Sequence, residues 1–446
     1  MSREGRARPP LPPAPYLVVG LARSGAGAAR MLRDRGEVIG VDSGSPSGAD
    51  ALREEGLEVH LGTDGVALLD RAGTVVKSPG VPPSAPVVAE ARRRHIPVTG
   101  ELELAWRLLP NEFVAVTGTN GKTTTVELLG AMQRAAGVPA AVAGNVGTAV
   151  SELVGAVADD ATVVCEVSSF QLADSEALAP EAAVLLNLGV DHLDWHGTPE
   201  AYGAAKLRVF ANQTPDDVAV LPLELADDRA VPGRARRVSF GAPGSDMERR
   251  EGTLRWRGEP LIEESAIRLR GAHNHENAMA ASAVALERGL PAEAVREALQ
   301  TFAGVPHRLE EVGTRDGVLF VNDSKATNVD SAAVGIRAFE GGVHAILGGS
   351  LKGGGFRALR DPVTERCVAC YLIGEAAGEL GRDLEGTVAL RAEGDLERAV
   401  AAAAAAAGPG QVVLLSPACA SYDQYRDYEE RGEHFRRLVN ELGGGE

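Results

Sequence analysis

One stretch constrains this chain more than any other: VAVTGTNGKTTT, from Val114 to Thr125. Apolar and β-branched residues lead into a glycine-bearing turn, and a lysine with three threonines leads out. That order predicts a strand, a loop and the start of a helix. The usual phosphate loop reads G-x-x-x-x-G-K-[ST]. Gly121, Lys122 and Thr123 match its end, whereas Val116 stands at its first glycine. In such a loop the backbone N–H groups from Gly118 to Thr123 cradle phosphate oxygens. Lys122 brings a point charge to the terminal phosphates, and the Thr123 hydroxyl ligates Mg²⁺. A surface lysine on a plain turn is the bland alternative.

The loop lies behind another α/β unit. At 446 residues the chain is too long for one core, and domains of roughly 100–200 residues predict two to four. Residues 1–15, MSREGRARPPLPPAP, are rich in Pro and Arg and are expected to be disordered. Residues 16–107 open with YLVVG, a helical stretch and EVIGVD, a small α/β unit. Residues 108–305 carry the phosphate loop and two nearly continuous apolar runs, TVVCEVSS and AAVLLNLGV. Such runs suit parallel strands covered on both faces. TLRWRGEPL predicts a hairpin around Gly258, and HNHENAMAASAVALERG a helix. GVPHRLE leads into residues 306–446, where VLFVNDSKATN, VHAILGGSLKGGGF, CVACYLIGEAAG and QVVLLSPACASYDQY repeat strand and loop. Three α/β units in series follow. Ligands of such sheets gather at the carboxyl ends of the strands.

The first turn, VVGLARSGAGAARML, lacks one glycine of a dinucleotide fingerprint. G-x-G-x-x-G needs Gly20, a glycine where Ala22 stands, and Gly25. A nicotinamide cofactor is therefore disfavoured. A helix N-terminus still attracts a pyrophosphate, and Ser24 and Gly25 lie there. Asp42 ends the next strand and can accept from a sugar or a base. A nucleoside diphosphate fits this turn better than NAD does.

Beside the phosphate loop, Glu166 lies near the end of VVCEV, and Asp191 and His192 follow the next apolar run. Magnesium needs such oxygen ligands beyond the hydroxyl. Lys206, in YGAAKLRVF, reads by itself as a solvated helix lysine.

Bulk properties exclude several classes. The formal net charge of −17 and the 4% aromatic content argue against a nucleic-acid-backbone binder or a base-stacking platform. No apolar run approaches the ~18 residues of a membrane span. Four cysteines, with CVAC at Cys367 to Cys370, read as buried structural thiols of a reduced cytoplasmic protein. A monomer is the default expectation.

With its motifs in order, the chain resembles the Mur ligases, and within them the branch that adds D-glutamate to UDP-MurNAc-L-Ala. The likeness runs from about Tyr16 to the C-terminal helix. It is carried by GTNGKTTT, GNVG, EVSSFQL, DHLDWHG with YGAAK, HNHEN, PHRLE, NDSKATN, LGGSLKGG and SPACASYDQY. The resemblance implies Rossmann-like N-terminal and C-terminal domains flanking a central P-loop ATPase domain with a mostly parallel sheet. It implies ATP and Mg²⁺, and an acyl phosphate made at the carboxylate of the L-alanyl end.

Residue by residue, it places ATP on Gly118, Thr119, Asn120, Gly121, Lys122, Thr123 and Thr124, on Asn274 and Asn277, and on Arg308 and Asp323. It gives Lys122, Glu166, His192 and Lys206 catalytic positions. Thr123, Glu166, His192 and Lys206 hold the metal, Lys206 as a carbamate. The UDP substrate falls to Ser24, Gly25, Asp42, Ser43, Asn145 and His192. D-Glutamate falls to Lys325, Thr327, Lys352, Ser421 and Tyr428, where cations and hydroxyls suit a dicarboxylate. The sequence departs from the family pattern at Ala22, Leu351 and Tyr428. The competing expectations are the same architecture adding L-glutamate, an NAD-dependent oxidoreductase, and a nucleotide-binding regulator without catalysis.

Overall fold

The structure is a computed structural model that describes residues 7–46, 48–189, 191–351 and 355–442. Three sheets organise it. The first is wholly parallel and runs β3-β2-β1-β4-β5, with β1 at Tyr16–Val19, β2 at Val38–Asp42, β3 at Glu58–Leu61, β4 at Thr74–Lys77 and β5 at Val98–Gly100.

The central sheet holds β6 (Phe113–Thr117), β7 (Ala140–Gly144), β8 (Thr162–Glu166), β9 (Ala182–Leu185), β10 (Val218–Pro222), β11 (Arg236–Gly241), β12 (Met247–Arg250), β13 (Thr253–Trp256) and β14 (Glu259–Glu263). Its order is β14-β13-β12-β11-β10-β9-β6-β8-β7. Pairing is parallel from β7 to β12 and antiparallel beyond, where β13 and β14 form the hairpin expected around Gly258.

The third sheet holds β15 (Glu310–Arg315), β16 (Val318–Asn322), β17 (Val343–Gly348), β18 (Cys367–Ile373), β19 (Ala389–Gly394) and β20 (Val412–Leu415). Its order is β15-β16-β20-β17-β18-β19, parallel except for β15.

By its contacts the chain forms two compact units. The first is Met1–Ile267 with Glu276–Thr301, and the second is Arg268–His275 with Phe302–Glu446. Within the first unit the first two sheets share one apolar cluster, which joins Tyr16, Leu32 and Trp106 to Phe113, Val163 and Leu185. The helix Glu101–Leu108 contributes Leu102, Leu104 and Ala105 to that cluster. Its buried Glu103 accepts hydrogen bonds from the N–H groups of Glu176, Ala177 and Leu178 at 3.3, 3.1 and 2.9 Å. Glu101 accepts from the Ser151 N–H at 2.5 Å. A carboxylate held by several backbone donors is satisfied although buried.

Composition also misjudged residues 7–15. Arg8 anchors them. Its guanidinium lies 4.4 Å over the Trp106 ring, donates to the Asn111 carbonyl at 2.9 Å and pairs with Glu181 at 3.1 Å. One buried arginine supplies the packing that low hydrophobicity denied. In the third sheet, CVAC opens β18 with a bulge. Val343 pairs with Cys367 and His344 with Ala369, so Val368 is extra. Cys367 and Cys370 therefore face the same apolar cluster, and Cys370 is buried.

Candidate functional site

In the central sheet β6 lies between β8 and β9, so the chain crosses to opposite sides of β6 on leaving it. This is the switch point at which open α/β sheets bind ligands. β6 ends at Thr117, and the helix Lys122–Ala135 starts after the loop. Gly121 takes a left-handed φ of 86°, and a Cβ there would stand 2.1 Å from Asn277 Oδ1. Only glycine satisfies both demands. The Asn187 amide oxygen accepts from the N–H groups of Thr119 and Asn120 at 3.0 and 2.9 Å. The Thr119 hydroxyl accepts from the Gly189 N–H at 2.8 Å. Asn187 was missed in the sequence, although a polar residue after the apolar run AAVLL, at the carboxyl end of a central strand, is the available signal.

Behind the loop, buried oxygen donors converge. The Thr123 hydroxyl donates to Glu166 Oε2 at 2.8 Å, and the Asn145 amide donates to Oε1 at 3.1 Å. Glu166 is 2% exposed, and both these partners are neutral. A buried carboxylate met by neutral donors favours a cation nearby. Among the described residues no three His, Cys, Asp or Glu side chains cluster to hold a metal. Thr123 and Glu166 offer two adjoining oxygens and would leave positions for phosphate and water oxygens, as Mg²⁺ prefers. The residues present fit that ion.

Lys122 and Lys206 both donate to the Gly118 carbonyl, at 2.9 and 2.7 Å. Lys206 is buried on the helix Pro199–Leu207, its ammonium 4.5 Å over the Tyr202 ring. Burial, and then the Lys122 charge, pull its pKa down to about 7 against the opposing pull of Asp191 and Glu166. The solvated-lysine alternative is thereby excluded. Tyr202 was not singled out in the sequence. Its hydroxyl donates to Thr119 at 3.3 Å, tying the Lys206 helix to the loop.

His192 takes a left-handed φ of 52°. Its ring stands 4.7 Å from Phe170, and Nε2 lies 3.4 Å from Asp191 Oδ2. Its side chain is 44% exposed.

At the first sheet, Asp42 caps the turn after β1. Its carboxylate accepts from the N–H groups of Leu21 at 2.7 Å and Gly44 at 2.8 Å. Ser24 and Gly25 lie in the first turn of the helix Arg23–Leu32, as the anion reading requires, and Ser43 is exposed beside Asp42. A Cβ at Gly25 would meet the Gly20 carbonyl at 1.8 Å, so this turn packs too closely for any side chain there.

The second unit contains the remaining residues. Asn274 donates to the Arg270 carbonyl at 2.8 Å. Asp323 is buried and accepts from the Ser416 hydroxyl at 2.7 Å and the Leu309 N–H at 3.2 Å. Burial raises its pKa to about 7, opposed by Ser416 and then by Arg308, which belongs to the same unit. Lys325 lies 5.8 Å over the Tyr428 ring. Thr327 is half-buried on the loop after β16, and Ser421 is buried on the loop after β20. Lys352 lies outside the described residues.

A phosphate loop at the switch point of a parallel sheet, backed by buried oxygen donors, defines a P-loop nucleotide-binding α/β protein. The comparisons narrow that class. The Mur ligase middle domain matches residues 116–285, the Mur ligase glutamate ligase domain residues 307–419, and the MurD-like N-terminal domain residues 14–100. The UDP-N-acetylmuramoylalanine--D-glutamate ligase of Acidobacterium capsulatum is 45% identical over 442 residues, covering 95% of each chain. That of Geobacillus kaustophilus is 41% identical, over 96% of this chain and 97% of its own. Among solved structures, the MurF ligase of Thermotoga maritima in complex with ADP shares the fold at a TM-score of 0.60 and 19% identity, covering 96% of this chain and 95% of its own. The chain belongs to the Mur ligase family.

Proposed function

We propose that the chain is an ATP-dependent ligase that joins D-glutamate to UDP-MurNAc-L-Ala through an acyl phosphate, a step in making peptidoglycan precursors. The carrying observation is the near-full-length likeness to ligases named for that reaction. The site supports it. A free carboxylate is a poor acyl donor because its leaving group is oxide. The L-alanyl carboxylate oxygen attacks the γ-phosphorus of ATP, the bond to the bridging oxygen breaks, and ADP leaves. The D-glutamate amine then adds to the acyl carbon and loses a proton, and phosphate departs to leave the amide.

In this reading the N–H groups from Gly118 to Thr124 bind the phosphates, with Asn120 held by Asn187. Lys122 turns from the Gly118 carbonyl onto the terminal phosphate. Thr123 and Glu166 would hold Mg²⁺, which, when bound, neutralises charge developing on the phosphate oxygens. Asn145 and His192 border the acyl substrate, while Ser24, Gly25, Asp42 and Ser43 hold its UDP end. Asn277 lines the loop, and Asn274, Arg308 and Asp323 supply the second unit's ATP contacts. Lys325, Thr327, Ser421, Tyr428 and Lys352 take D-glutamate.

Lys206 acts as a carbamate. Its neutral amine adds to CO₂ and releases a proton, giving an anion with two oxygens. The lowered pKa supports this, since the neutral amine becomes available near neutral pH. The change also replaces repulsion from Lys122 with attraction. The reaction belongs in the cytoplasm, where ATP is found. Among the described residues no helix is long and apolar enough to cross a membrane.

Phosphate release and amide product, measured with ATP, Mg²⁺ and UDP-MurNAc-L-Ala, test the assignment. Product is expected only with D-glutamate. Product with L-glutamate instead would overturn the stereochemistry, and no product with either would overturn the assignment.

A further inference from the structure

We propose that Arg431 is the positioning residue of the amino-acid site, a buried guanidinium that fixes through their own oxygens the three loops on which that site stands. The proposal rests on reading the second unit as the D-glutamate binder.

Arg431 lies in the first turn of the helix Tyr428–Glu441 and is 1% exposed. A guanidinium has five N–H donors in a fixed fork. All five are used. Nε donates to the Ser324 hydroxyl at 3.0 Å, and Nη2 to the carbonyls of Ser324 at 2.9 Å and Cys419 at 3.1 Å. Nη1 donates to the carbonyls of Ala420 at 3.3 Å and Gly348 at 3.4 Å. None of these acceptors is a carboxylate. A buried cation that serves only to fill a core is a poor choice, because desolvation is costly and an apolar side chain packs as well. One whose every donor ends on a loop oxygen has a geometric task.

Each acceptor lies at the carboxyl end of a parallel strand or on the loop that follows it. Ser324 follows β16 and directly precedes Lys325. Gly348 ends β17. Cys419 and Ala420 follow β20 and directly precede Ser421. The loops are also laced to one another. The Ser350 N–H donates to the Ala420 carbonyl at 2.9 Å, and the Ser324 hydroxyl to the Tyr428 carbonyl at 2.7 Å. Ala418 holds a left-handed φ of 61° just before the two carbonyls Arg431 captures. A non-glycine residue stays in that conformation only where its surroundings impose it. Burial lowers the arginine's pKa to about 10, which leaves it charged at neutral pH. Lysine offers three donors from one point and cannot span three loops.

The test is a set of full-chain variants, each assayed for all three substrates and for folding by circular dichroism and thermal melt. Arg431→Lys is expected to raise KM for D-glutamate about tenfold or more, with KM for ATP and UDP-MurNAc-L-Ala within about twofold, because misplaced contacts penalise only the substrate they serve. Ser324→Ala removes one acceptor and spares the charge. It is expected to give a smaller rise confined to D-glutamate, and it carries the test if Arg431→Lys fails to fold. An unchanged KM for D-glutamate in a folded variant, or equal losses for all three substrates, would overturn the proposal. If the wild type shows no saturable use of D-glutamate, the functional reading itself fails and the proposal falls with it.

Discussion

Lys206 shows how burial turns an ordinary side chain into a reactive one. Its pKa falls from 10.5 to about 7, first through desolvation and then through Lys122. The sign of the consequence is fixed. For a lysine whose folded pKa is depressed, the cost of the buried charge is complete below about pH 7. It is relieved as pH rises toward 10.5, because the unfolded chain then holds more protons. Lys206→Met removes that cost. In CO₂-free buffer the variant should therefore melt higher than wild type near pH 6, and the advantage should shrink steadily as pH rises from about 7 to 9. A constant difference across that range would exclude a depressed pKa. Carbamate formation needs the neutral amine, so ¹³C-bicarbonate should give wild-type protein a carbamate signal at neutral pH that Lys206→Met lacks. From the sequence alone this lysine was indistinguishable from a solvated one, and only the family likeness marked it. Asn187 carried only its place after an apolar run, and Arg431 no mark at all, because both bond to backbone groups that spacing does not reveal.

At the scale of elements, the parallel strands were legible because strands covered on both faces are apolar throughout. VVLL at β20 and VHAILG at β17 are buried from end to end. Two edge strands escaped. β15, EEVGTR, is largely half-buried and β19, ALRAEG, mostly exposed, and their polarity blunts an edge while hiding it from pattern reading. The bulge at Val368 was hidden for a different reason, since register depends on the partner strand. The phosphate loop was read from its glycine and lysine, and its geometry gives a sharp expectation. Gly121→Ala forces an L-residue to φ 86° and drives a methyl into Asn277. The left-handed conformation alone costs about 1–2 kcal/mol. Relief requires the loop to move off Asn277, so binding of a non-hydrolysable ATP analogue should weaken at least tenfold, roughly the same free energy. Isothermal titration would show it, and unchanged affinity would mean that the loop does not cradle the phosphates as drawn.

At the scale of the molecule, the first two sheets carry their own strands and helices but pack within one contact unit, and a buried ion pair joins them. Lys77 ends β4, and its ammonium lies 2.7 Å from Asp174 in the central layer, with the side chains 0% and 3% exposed. The same ammonium donates to the Val81 carbonyl at 2.7 Å, so the loop that follows β4 is tied into the pair. Burial pushes the Asp174 pKa up, and Lys77 opposes it, which is the balance expected of two charges that tolerate the interior only together. Removing one partner strands the other and should cost about 3–5 kcal/mol, whereas replacing both with apolar groups should be far milder. Lys77→Met and Asp174→Leu should therefore each lower the urea midpoint of the first unit sharply, and the double variant should recover most of the loss. That non-additivity is the signature of direct coupling. Additive losses would instead assign the fusion of the two sheets to the apolar cluster and to the backbone bonds of Glu101 and Glu103.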